Sequence, residues 1–129
     1  MVIAGKKGLQ MKKLLIVDDQ QGIRLLLDEV FRREGYATRL AANGMEALQA
    51  VQEEAPGCIL LDMKMPGMDG IEVLRKMKSD WPEIPVIMMT AYGEIEMADD
   101  ALKGAVVKFF TKPFDIYEVR DAVNALFAS

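Results

Sequence analysis

The side chains best suited to chemistry in this chain stand where short apolar runs end. Leu14 to Val17 runs into Asp18 and Asp19, Cys58 to Leu61 into Asp62, Val86 to Met89 into Thr90 and Ala91, and Phe109 to Thr111 into Lys112 and Pro113. Adjacent carboxylates repel each other and resist desolvation, so a pair at the end of a buried segment needs water or a cation to compensate. Oxygen donors alone, with water completing the shell, suit a hard divalent cation: magnesium, or manganese in its place. An isolated Asp-Asp is ordinarily a solvated turn. Asp62, Thr90 and Lys112 at equivalent positions change that reading, provided the runs that carry them lie side by side. The chain has no histidine, which removes imidazole metal sets, Ser-His and Cys-His nucleophile pairs, and histidine as a phosphoryl carrier.

The elements that must position these groups alternate along the chain. KLLIV is a strand, and QGIRLLLDEVFRREG is a helix with Ile23, Leu27, Val30 and Phe31 on one stripe, stopped at Gly35. TRLAA is a strand, and NGMEALQAVQEEA a helix entered at Asn43. CILLD and GIEVLRKMKSDW follow as strand and helix, the helix closed by Pro82; then PVIMMTA and EIEMADDALKG, and finally VVKFFT and DIYEVRDAVNALF, capped by Asp115. Pro66, Gly67 and Gly70 mark a tight turn between Asp62 and the third helix. Alternating strands and helices imply parallel pairing with right-handed crossovers and helices on both faces of one sheet. The strands lack polar alternation, as expected of strands buried on both sides. In such a sheet function gathers at the carboxyl ends of the strands, beside the topological switch point, where all the groups named above would meet.

A chain of 129 residues, 51% hydrophobic and 28% charged, is the size of one domain with one ordinary core. Residues 1–10, MVIAGKKGLQ, read as a flexible leader and residues 11–129 as the domain. The net charge of −4 argues against non-specific nucleic-acid binding, and no apolar run approaches the length of a membrane span. A single cysteine, Cys58, reads as a small strand hydrophobe and fits a reducing compartment, so a cytoplasmic protein is expected. Leu25, Leu26 and Leu27 cannot all share one stripe with Ile23, so at least one should be exposed.

The segments VDDQ, LLDMKMPGMDG, MMTAYGE and FFTKPFD resemble the signature segments of the receiver domains of two-component response regulators. The resemblance runs from about Met11 to Phe127. It implies a flavodoxin-like fold: a doubly wound, five-stranded parallel sheet of order 2-1-3-4-5 with five helices. It further implies that Asp62 accepts a phosphoryl group; that Asp18, Asp19, Asp62 and the Lys64 carbonyl hold magnesium; and that Thr90, the Ala91 N–H and Lys112 bind the phosphoryl oxygens. Pro113 resembles the family's cis peptide. Thr90 and Phe109 occupy the positions of the family's conformational switch, though phenylalanine lacks the polar atom that other members carry there.

More narrowly, DDQ-x-GIR, AANG and KPFDI-x-E-x-RDAV are similar to single-domain phosphorelay members of the family from spore-forming bacteria. That similarity implies a surface of Gly22, Ile23, Leu26, Tyr92, Pro113 and Phe114 that docks a helical bundle presenting a phosphohistidine. The expected protein is a monomer that takes phosphoryl from a histidine kinase and passes it to a histidine phosphotransfer protein. It is a carrier that assists its own phosphorylation and dephosphorylation, rather than a turnover enzyme. The chain ends with its last helix, so its output is expected to be a protein contact or phosphoryl transfer, with no action on DNA or membranes. Two other readings stand beside this one: a receiver whose phosphorylated form simply binds a target, and an aspartate-nucleophile phosphohydrolase, which would need a DxD arrangement that is not visible.

Overall fold

The computed structural model describes residues 12–91 and 103–128. They contain β1 (Lys12–Val17), α1 (Gln21–Arg33), β2 (Tyr36–Ala41), α2 (Gly44–Glu53), β3 (Cys58–Asp62), α3 (Gly70–Asp80), β4 (Val86–Thr90), β5 (Lys108–Thr111) and α4 (Ile116–Ala128). Every strand pair is parallel, in the order β2-β1-β3-β4-β5, which is the expected doubly wound topology. The leader and Tyr92 lie outside the described residues, and so does the helix expected over EIEMADDALKG apart from Lys103 and Gly104.

Alternate residues of each central strand feed two cores. Leu15, Val17, Ile59, Leu61, Val86 and Met88 pack on one face with Ala47, Ala50 and Val51 of α2 and Val73, Leu74 and Met77 of α3. Leu14, Ile16, Cys58, Leu60, Ile87 and Met89 pack on the other with Leu27 and Phe31 of α1 and Val119 and Val123 of α4. A strand buried on both faces must be apolar at consecutive positions, which is why β1, β3 and β4 read as unbroken hydrophobic runs. On α1 the stripe buries Leu27 and Phe31, while Leu25 and Leu26 are left 51% and 48% exposed.

The helix starts are specified locally. Asn43 accepts a hydrogen bond from the Glu46 N–H at 2.9 Å, and Glu46 in turn accepts from the Ala42 N–H at 2.9 Å. Asp69 accepts from the Glu72 N–H at 3.0 Å and Asp115 from the Tyr117 N–H at 2.8 Å; each such cap contributes about 1 kcal/mol. The α1 helix differs: Gln20 makes no side-chain cap and no acidic residue occupies its first turn. It ends as expected, with Gly35 at φ +91° and its N–H on the Arg32 carbonyl at 3.1 Å.

Two strand starts lie two residues from the sequence expectation. The β2 strand begins at Tyr36, two residues before TRLAA, because the Tyr36 ring is buried between Phe31 and Phe127 in edge-on contacts at 5.3 and 5.2 Å. The β5 ladder begins at Lys108 rather than Val106, although the Val107 N–H still reaches the Val86 carbonyl at 2.9 Å.

The start of α3 closes against the end of β3. The Gly70 N–H bonds the Met63 carbonyl at 2.8 Å, and a Cβ built on Gly70 would lie 2.3 Å from the Asp62 carbonyl oxygen and 2.7 Å from the Met63 Cα. These are main-chain atoms that cannot rotate away. Gly70→Ala should therefore destabilise the fold by on the order of 2 kcal/mol through overpacking. Gly22→Ala, in the first turn of α1 with nothing within 4 Å of the added methyl, should be neutral or gain about 0.5 kcal/mol of helix propensity. Urea unfolding of the two variants checks the contrast, and equal effects would contradict the close approach at Gly70.

Candidate functional site

The strand order places the topological switch point between β1 and β3, because the chain leaves β1 toward β2 and returns on the other side at β3. Val17 and Leu61 are register partners, so the next residues, Asp18 and Asp62, stand side by side at the strand ends. Asp62 is also paired with Met89, and Thr90 with Thr111, which brings Thr90 and Lys112 to the same edge. The Lys112 N–H holds the Thr90 carbonyl at 2.6 Å, and the peptide bond from Lys112 to Pro113 is cis.

Carboxylate oxygens of Asp18, Asp19 and Asp62 lie within 4.8 Å of one another. Asp18 is fully buried, Asp62 is buried and Asp19 is exposed. The Lys112 ammonium donates to Asp18 Oδ2 at 2.9 Å and lies 3.4 Å from Asp62 Oδ1. Asp18 Oδ1 accepts from the Gln20 N–H at 2.9 Å, and Asp62 Oδ1 from the Lys64 N–H at 3.4 Å. Thr90 is fully buried, and its hydroxyl oxygen has no hydrogen-bond partner among the described residues. A buried hydroxyl without a partner costs about 1–3 kcal/mol, an arrangement that marks a group kept for a ligand.

The charges here are under tension. Burial first, and then the neighbouring Asp18 charge, push the Asp62 carboxyl up to about 7, against the opposing pull of Lys112. Burial disfavours the charged form of Lys112 too, but its hydrogen bond to Asp18 and the charges of Asp62 and Asp18 outweigh that and hold its pKa above the ordinary value. Three hard oxygen donors from three residues fit a magnesium-sized ion: opposite ligands of an octahedral magnesium stand about 4.2 Å apart, within reach of the observed cluster.

Residues 14–124 match the family of response regulator receiver domains. The chain belongs to that family. It is 57% identical over 113 residues to the sporulation initiation phosphotransferase F of Bacillus subtilis, covering 88% of this chain and 91% of that protein. It is 41% identical over 107 residues to the regulatory protein AtoC of Escherichia coli, but there it covers only 23% of the longer protein. Among solved structures, the receiver domain of NtrX from Brucella abortus superposes with a TM-score of 0.79 at 35% identity, over 90% of this chain and 99% of that one.

Within this receiver domain Asp18, Asp19, Asp62, Thr90 and Lys112 are brought to one edge as expected. Ala91 follows Thr90 there and is exposed, as is the Lys64 side chain. Phe109 is half-buried, in register with Met88, and packs against the core shared with α2 and α3. Of the expected docking residues, Gly22, Leu26 and Pro113 are exposed and Ile23 and Phe114 half-buried. One residue escaped the sequence reading. The Arg24 guanidinium donates to the Asp18 carbonyl at 2.7 Å. Its only signal was a cation on the first turn of a helix whose preceding loop carries two carboxylates.

The raised Asp62 pKa gives a signed prediction for the metal-free protein. An unfolded aspartate titrates at about 3.9, whereas folded Asp62 titrates at about 7. Between those values the folded state binds more protons, so stability falls as pH rises. With divalent cations chelated, the stability advantage of Asp62→Asn over the wild type should grow from about pH 4 to about pH 7 and then level off. Thermal unfolding of both proteins across that range measures it; a constant gap would contradict the electrostatic tension.

Proposed function

We propose that this receiver domain is a phosphorelay intermediate, which takes a phosphoryl group from a histidine kinase onto Asp62 and passes it to a histidine phosphotransfer protein. The observation that carries this is the convergence at the switch point of three carboxylates, the Lys112 ammonium and the unpartnered Thr90 hydroxyl. The relay role, beyond simple acceptance, is supported by the 57% identity to a relative named as a phosphotransferase and matched over 91% of its length. No helix among the described residues is long and apolar enough to cross a membrane, and the proposed setting is the cytoplasm.

Phosphoryl transfer asks the protein for alignment and charge neutralisation more than for covalent chemistry. An Asp62 carboxylate oxygen attacks phosphorus, the bond from phosphorus to the histidine nitrogen breaks, and the departing imidazole recovers its electron pair. Lys112 exchanges part of its contact with Asp18 for a phosphoryl oxygen, and the Thr90 hydroxyl and Ala91 N–H donate to others. Asp18, Asp19, Asp62 and the Lys64 carbonyl would hold magnesium, which supplies the charge that lets a carboxylate and a phosphoryl group approach. The return step reverses these moves onto a new histidine.

Two measurements test the reading. Asp62→Asn should fold and lose labelling by acetyl phosphate or a kinase by at least about 100-fold, and phosphorylated wild type should return its label to a purified histidine phosphotransfer protein. Labelling without any return would favour a receiver that only binds a target, and steady turnover of phosphomonoesters would favour a phosphohydrolase. Magnesium at 100 times its dissociation constant should stabilise the wild type by about 2.7 kcal/mol. Asp19→Asn should raise the metal-free melting temperature while shrinking that increment. A wild-type melting temperature indifferent to millimolar magnesium would overturn the metal assignment.

A further inference from the structure

The loop that carries both aspartates is only three residues long between β1 and α1. Its restraints can be followed atom by atom. The Asp18 N–H bonds the Ala41 carbonyl at 3.1 Å, continuing the ladder. Asp18 Oδ1 takes the Gln20 N–H and Oδ2 the Lys112 ammonium, so both carboxylate oxygens of Asp18 are engaged. Its carbonyl takes the Arg24 guanidinium at 2.7 Å, from a helix turn that is itself anchored by the Arg24 N–H on the Gln20 carbonyl at 3.0 Å. Among the described residues the Asp19 side chain makes no ion pair or main-chain hydrogen bond; its carboxylate meets that of Asp62 within the acidic cluster. The direction in which its side chain leaves the backbone depends on the peptide that precedes it, and the oxygen of that peptide is the one Arg24 holds.

Arg24 is unusual in its choice of partner. It is half-buried and reaches the residue that opens the acidic cluster, but among the described residues it makes no ion pair with the three carboxylates and spends its bond on a neutral carbonyl. A single charged hydrogen bond to a main-chain oxygen restrains where that oxygen stands. The α1 helix has no side-chain cap to do this instead. We propose that Arg24 is a positioning residue for the cation site, holding the Asp18 carbonyl so that the peptide joining Asp18 to Asp19 aims the Asp19 carboxylate at the ion. The inference rests on the acidic cluster being a magnesium site, and concerns how that site is shaped.

The sign of the effect separates positioning from simple charge. If Arg24 acted as a counter-charge to the aspartates, its removal would leave the cluster more negative and magnesium would bind more tightly. If it orients Asp19, removal weakens binding, by roughly 10-fold or more as for other groups that orient metal ligands. Magnesium dissociation constants should be measured by calorimetry for the wild type, Arg24→Ala and Arg24→Lys, with the metal-free urea midpoint of each recorded alongside. The expected result is weaker binding in Arg24→Ala with a near wild-type midpoint, and recovery of most of the loss in Arg24→Lys, whose ammonium can reach the same carbonyl. Unchanged or tighter binding in Arg24→Ala overturns the inference. So does a loss of affinity that tracks a fall in the metal-free midpoint and is not recovered by lysine, since that is a helix-start effect. Absence of magnesium binding in the wild type overturns the cation-site reading itself.

Discussion

The structure is organised around a repulsion. Asp18, Asp19 and Asp62 lie close enough for their oxygens to share one ion, with two of the three side chains buried, and only the Lys112 ammonium opposes them among the described ion pairs of the site. Without a cation, burial and the neighbouring Asp18 charge raise the proton affinity of Asp62. Asp18 has both oxygens engaged by an N–H and an ammonium, whereas the contacts of Asp62 are longer, at 3.4 Å to both Lys64 N–H and Lys112. Of the two buried carboxylates, the one less committed to the protein is in the acceptor position, open to a proton, a cation or a phosphoryl group.

Such a cluster persists only where packing overrules electrostatics. The two cores on either face of the sheet bury β1, β3 and β4 completely from Leu14 to Val17, Cys58 to Leu61 and Val86 to Met89, and parallel registry fixes which residues emerge at the ends. Moving Asp62 away from Asp18 would mean slipping β3 against β1, which would exchange the residues of the two cores. The α3 start adds a second lock, since Gly70 sits directly on the Asp62 main chain. The repulsion is thus stored by hydrophobic burial some distance from the charges.

Much of this was legible in the sequence. Apolar runs without polar alternation marked strands buried on both faces, and Asn43 and Asp115 were readable as helix starts because caps are local interactions; Asp69 is a third cap of the same kind, not singled out in the sequence. The site residues followed from strand ends, given the topology. What was not legible depended on contacts distant in sequence or on side-chain direction. Tyr36 joined β2 because Phe127 covers it from the far end of the chain. Arg24 was not singled out, since nothing in a spacing tells whether a guanidinium turns outward or reaches back six residues to a carbonyl. The exposed Leu25 and Leu26 were foreseen only as a geometric surplus, because a helical stripe has room for a fixed number of leucines.

On the proposed reading, the same tension explains why a relay can run in both directions. A divalent cation roughly balances the excess negative charge of three carboxylates over one lysine. Turning Asp62 into an acyl phosphate then adds only about one further charge, since a phosphoryl ester carries about −1.5 to −2 where a carboxylate carried −1. Lys112 already lies 3.4 Å from Asp62, and among the described residues the Thr90 hydroxyl has no competing partner to surrender. On this reading the added charge opposes the phosphorylated state while the Thr90 hydroxyl, unpartnered without it, favours it, so the two effects offset each other. Phe109 adds to this, since its half-buried ring offers no polar atom to hold Thr90 in one position. A receiver that must reshape itself on phosphorylation uses that energy in the protein; one that keeps its surroundings nearly neutral to the modification leaves it available for the next transfer.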